Sequence, residues 1–207
     1  IHEKHYLWHL LRYIIPLMKN LYPVKLRQCI FYKNKAGIKI RGKKEKREIN
    51  MSADLFNLAE KEGILVDFYY LPCDILGAYY HAKNKPPVIL LHKNIKHHRR
   101  LLRCIFAEEL GHHFKSVYGN NYLFFARAGK YLAAKYEKLA IFWAVEYLMP
   151  LDRLAEAVNS GLFLTHEIAE FFDVTELFAG TGIKLYFEKR RDYMVKLLKK
   201  LPEELQI

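Results

Sequence analysis

A chain of 207 residues with 52% apolar content has room for one domain, or one domain with an appendage, and the composition of a protein with a real core. Its three cysteines, Cys29, Cys73 and Cys104, form no C-x-x-C pair and are too few to brace a secreted scaffold, so they read as buried reduced thiols in a cytoplasmic protein. The net charge of +12 is concentrated: residues 1–50 hold 13 of the 34 basic and 3 of the 22 acidic residues, and the nearly balanced remainder argues against direct nucleic-acid binding.

The segment 1–50 is basic and aromatic, with a helical period only over Tyr6–Leu21, and it closes on a charge run from Arg41 to Glu48. Tyr6–Met18, its most apolar stretch, is interrupted by His9 and Arg12, falls short of the roughly eighteen residues of a membrane span, and has no small-residue cleavage site. Two readings stand for this segment. One is a basic arm that touches nucleic acid or an acidic partner. The other, which we favour, is an extension that is not part of the native domain, with the domain itself running over residues 51–207.

From Met51 the pattern is regular. Ser52 predicts the N-cap of a short helix to Glu62, with Gly63 as its C-terminal stop. Ile64–Leu71, Ile75–Ala82 and Val88–His92 predict three strands, the last two joined by a turn at Asn84-Lys85-Pro86-Pro87. A helix is expected from about Ile95 to Ser116, a loop through Tyr118–Asn121, and a second long helix from about Ala128 to Met149, stopped by Pro150. The remainder predicts helices at Asp152–Asn159, at Thr165–Phe172 with Thr165 as its cap, and from Thr175 to about Leu201 with a break at Gly180 and Gly182. The order implies an α+β domain: a small three-stranded sheet packed on the helix at 95–116, with a mainly helical C-terminal half.

That helix carries the chemistry, in Glu108-Glu109-Leu110-Gly111-His112-His113. Residues four apart share a helix face, so Glu108 projects beside His112 and Glu109 beside His113. The spacing is that of the zinc-peptidase helix H-E-x-x-H, in which two His hold the ion and the Glu accepts a proton from the attacking water, with Glu in place of the first His. Gly111 inside a helix costs about 1 kcal/mol relative to Ala, which points to a close approach to its backbone, such as by a sheet edge or the floor of a cleft. Apolar residues at Leu101, Leu102, Ile105, Phe106, Leu110 and Phe114 imply burial, and buried carboxylates require a metal, a partner or a proton. On the second long helix, Glu137 shares a face with Ala140 and Ala144, small residues that let this helix approach another; Glu137 is the candidate third ligand. Glu146, about half a turn round, cannot point at the same ion. His113 reads as a packed or exposed His, or else as a group that supports the site or polarises a substrate carbonyl.

At these residues the sequence resembles the ImmA/IrrE family of metallopeptidases. The resemblance runs from about Met51 to Phe187 and rests on Leu58–Ile64, Phe106–His113, the Glu137–Pro150 helix with its Leu-Met-Pro end, and Ile168–Thr175. It implies a zincin-like fold and a metal-dependent endopeptidase of phages or mobile elements that cleaves a helix-turn-helix, DNA-binding repressor. By this resemblance His112 and Glu137 are metal ligands, Glu109 is the catalytic base, and Glu108 stands at the first ligand position. Zinc is the expected ion, with another divalent metal such as Mn as the alternative. Strand Val88–His92 is expected to pair with an extended substrate at the sheet edge. The competing reading is a catalytically inactive regulatory module: Thr165–Phe172, Asp173-Val174 and Thr175 onward loosely resemble a helix-turn-helix, with Lys189, Arg190, Arg191, Lys196, Lys199 and Lys200 nearby, suited to binding a repressor or DNA.

Overall fold

The computed structural model describes residues 53–71, 75–82, 84–115 and 122–198. The basic segment 1–50, the Ser52 cap, Cys29, Cys73 and the loop at 118–121 lie outside them. The elements in chain order are α1 (Ala53–Lys61), β1 (Leu65–Tyr69), β2 (Gly77–Tyr80), β3 (Val88–His92), a 3-10 turn (Lys93–Ile95), α2 (Arg99–Lys115), α3 (Tyr122–Leu148), α4 (Leu151–Asn159), α5 (Thr165–Phe172), α6 (Glu176–Lys189) and α7 (Arg191–Leu198). No helix among the described residues is long and apolar enough to cross a membrane.

The apolar stripe of α1 buries Leu55 and Ala59, and the helix ends where Gly63 takes φ of 66°, the left-handed conformation that glycine adopts without penalty. The strands form one mixed sheet in the order β1-β3-β2, β1 parallel and β2 antiparallel to β3. All five residues of β3, Val-Ile-Leu-Leu-His, are buried. An unbroken apolar run suits a strand covered on both faces and paired on both sides. This corrects the expectation that β3 receives the substrate: its backbone is already taken on each side, and the outer edges belong to β1 and β2.

His92 closes β3. Its Nδ1 accepts the Asn94 amide N–H at 3.0 Å, so its Nε2 carries the proton and donates to the Leu71 carbonyl, also at 3.0 Å. This capping makes residues 93–95 a separate 3-10 turn, and α2 therefore starts at Arg99 rather than Ile95. Helix α2 packs on β2 and β3 with one face and along α3 with another. Cys104 is buried as expected, its Sγ accepting from the Thr175 amide at 3.5 Å.

Other local expectations differ too, among them the start of α3, at Tyr122 rather than about Ala128. Thr165 is the first residue of α5 rather than its cap; Glu167 reaches back to accept the amides of Phe163 and Leu164 at 3.0 Å each. Those two bonds hold the Glu167 carboxyl below its ordinary range. Helix α6 does not break at Gly180 or Gly182. A Cβ on Gly182 would lie 3.2 Å from Val145 and 3.3 Å from the Met149 sulfur, so this glycine serves the close packing of α6 on α3. The break falls instead at Arg190, with φ of −134°, whose guanidinium lies 3.4 Å from Glu146.

Candidate metal centre

The two long helices bring three sequence-predicted residues together. Glu108 and His112 lie one turn apart on α2 and are 8% and 7% exposed; Glu137 reaches across from α3. One donor atom from each lies within 4.8 Å of the other two, and His112 Nε2 stands 3.6 Å from Glu137 Oε2. A four-coordinate ion with bonds of about 2.0–2.2 Å requires donor atoms about 3.3–3.6 Å apart; the His112–Glu137 pair meets this, and the three side chains, all within 4.8 Å, are of the right chemistry and close enough to hold a divalent cation. Among the described residues this is the one group of His, Cys, Asp and Glu with such convergence. Glu146 is turned away, toward Arg190.

The convergence depends on how closely the helices approach. A Cβ on Gly111 would overlap the Ala140 carbonyl oxygen and lie 2.8 Å from its carbonyl carbon. Ala140 and Ala144 are fully buried in the contact. The cost of a mid-helix glycine is thus offset by the approach of α3, which sets Glu137 opposite His112 one turn from the contact point.

Glu109 is 1% exposed and points to the sheet rather than to α3. Its side chain lies over Gly77 of β2, where a Cβ would come within 2.7 Å of Glu109 Oε1 and 2.7 Å of Ile105 Cγ2. One turn further along α2, His113 meets the next inward residue of the same strand: Tyr79 Oη lies 3.1 Å from His113 Nδ1. Two strand residues (about 6.6 Å) and four helix residues (about 6 Å) have nearly the same rise, so strand and helix stay in step. His113 Nε2 is also 3.7 Å from Glu62 beyond the end of α1. Burial lowers the imidazole's pKa against the opposing pull of Glu62, and burial pushes the Tyr79 phenol up to about 12, so the hydroxyl stays protonated.

Gly77, Tyr79 and Glu62 were not singled out by the sequence reading. Gly77 had a signal: a glycine inside a strand marks a close approach. The pairing of Tyr79 with His113 joins residues 34 apart in the chain and had none.

No curated protein and no solved structure gives a significant match to the chain. The family model of Peptidase M78, described as the IrrE N-terminal-like domain, matches residues 60–184. The match takes in the end of α1, the whole sheet, α2 with its Glu-Glu-x-x-His run, and α3 with Glu137. The small mixed sheet against a motif helix, followed by helices, agrees with the zincin-like α+β fold that this family implies. The chain therefore belongs to the Peptidase M78 family, the ImmA/IrrE-type peptidases.

Proposed function

We propose that the protein is a divalent-metal-dependent endopeptidase whose substrate is a helix-turn-helix, DNA-binding repressor of a phage or mobile element. The observation that carries the reading is the meeting of Glu108, His112 and Glu137 within 4.8 Å, with Glu109 buried on the adjoining face of the same helix. Family membership supports a peptidase and a protein substrate; the repressor is the narrower step.

Glu108, His112 and Glu137 would hold the cation. Such an ion supplies Lewis acidity, which makes water acidic enough to attack at neutral pH and polarises the scissile carbonyl. Glu109 is the proton carrier: its carboxylate accepts the proton of the attacking water and passes it to the departing amine nitrogen. The glycine floor at Gly77 sets the position of that carboxylate. The outer edge of β2, the strand that lies along Glu109 and His113, offers the substrate backbone its hydrogen-bonding groups, in place of β3. His113 and Tyr79 hold β2 against α2.

The peptidase domain in this reading spans residues 51–207 with the basic segment as an extension, and N-terminal sequencing of the native protein tests that boundary. A buried thiol at Cys104 suits a cytoplasmic setting. For the activity, the test is Glu109→Gln. It is expected to keep metal content and thermal stability and to lose repressor cleavage by about 10²–10⁴-fold. Cleavage at the native rate by this variant would remove Glu109 from the mechanism.

A further inference from the structure

We propose that Glu108 is the residue that sets metal selectivity, moving the site from zinc toward oxygen-preferring divalent ions such as Mn2+. The inference rests on the reading of the cluster as a metal centre and deepens it. Of the three donor side chains, two are carboxylates and one is an imidazole.

Donor chemistry is what the residue at position 108 controls. The contact of Gly111 on the Ala140 backbone leaves no room for α2 and α3 to close further. That spacing of the helices is common to either residue at position 108, and what a change there alters is the set of donor atoms. Imidazole nitrogen suits zinc, whereas carboxylate oxygen suits harder ions. A carboxylate can also bind through both oxygens, which raises the coordination number beyond the four that zinc favours in such sites. Zinc binds nitrogen and oxygen sites more tightly than manganese in absolute terms, so the effect is one of ratio: glutamate at position 108 narrows the advantage of zinc over what a histidine there would give.

The experiment measures dissociation constants for Mn2+ and Zn2+, each against a chromophoric competitor, in the full-length wild type and in Glu108→His. The ratio of the Mn2+ to the Zn2+ constant is expected to rise by about tenfold or more in Glu108→His. A ratio unchanged within about threefold in a folded variant overturns the proposal and leaves the metal-centre reading intact. A wild type that binds neither ion at about 1 mM sinks both. Should Glu108→His fail to fold, pulsed EPR of the Mn2+-loaded wild type serves alone. Coupling to one imidazole nitrogen is expected, from His112; coupling to two shows that carboxylates do not dominate the donor set and overturns the proposal.

Discussion

The backbone of Ala140 occupies the space that a side chain at Gly111 would need: a Cβ there would overlap the Ala140 carbonyl oxygen. Gly111 precedes His112, and Ala140 lies one turn beyond Glu137, so this close contact between α2 and α3 lies beside two of the proposed ligands. Gly111→Ala is expected to destabilise the protein by about 1–3 kcal/mol, because backbone rather than a flexible side chain must give way. Urea unfolding measures the loss, and metal affinity falls with it as the helices separate. An unchanged unfolding midpoint would show that the helices can part without cost.

Gly77→Ala addresses the other side of α2. The added methyl would meet Glu109 Oε1 and Ile105 Cγ2, each at 2.7 Å. The expected outcome is a drop in cleavage of the proposed repressor substrate of about 10²-fold with metal content unaltered, since displacing the proposed base by about 1 Å costs that much. Loss of bound metal in this variant would contradict the separation of Glu109 from the ligand cluster.

Chelation gives a third check. With the ion at about 100 times its dissociation constant, binding contributes about 2.7 kcal/mol to stability. For a protein of this size that corresponds to a thermal midpoint about 5–10 °C higher. Excess chelator is expected to lower the wild-type midpoint and to leave Glu137→Ala unmoved. The same response in both proteins would place the ion elsewhere.

Alkaline pH probes the buried acids. Burial raises the Cys104 thiol from 9.0 to about 12, and the Tyr79 phenol from 10.0 to about 12. The native state therefore holds protons that the unfolded chain releases. The stabilisation is fully present below about pH 9 and is lost as pH rises from 9 to 12. Urea midpoints are expected to fall across that window. Cys104→Ala flattens the portion beginning near pH 9, and Tyr79→Phe the portion beginning near pH 10. A flat profile in the wild type would be inconsistent with buried, protonated groups.

Asp173 ties the start of α2 to the turn between α5 and α6. It has φ of 55°, pairs with Arg99, and accepts from Arg100 Nε at 3.3 Å. The pairs are partly exposed, so Asp173→Asn should cost less than about 1 kcal/mol. Asp173→Ala adds roughly 1 kcal/mol for a left-handed residue with a Cβ and no polar side chain. Calorimetry of the two variants checks the order, and equal losses would remove the backbone contribution.

Much of the site was legible because its signals are local. The four-residue spacing of Glu108 and His112, the mid-helix Gly111, and the small face of Ala140 and Ala144 beside Glu137 each reflect one helix's geometry. Strand order was less legible, because pairing joins segments far apart; yet the unbroken run Val88–Leu91 already marked a strand covered on both sides, and placing it at an edge overlooked that. Gly180 and Gly182 suggested a break on propensity alone. Packing of α6 against Val145 and Met149 outweighs about 1 kcal/mol per glycine and keeps the helix whole. Thr165 lost the capping role to Glu167, a competition among neighbouring polar groups that residue type does not decide.

Because β3 comes last in the chain yet lies between its predecessors, β1 and β2 have no shared hydrogen bonds to form while they wait for it. Until Val88–His92 is made, neither β1 nor β2 has a partner strand among the described residues, and its arrival completes two pairings at once. Helix α2 begins only seven residues behind His92. Completion of the sheet beneath Glu109 thus precedes Glu109 by only 17 residues, so the sheet and the helix that packs on it come from adjoining stretches of chain.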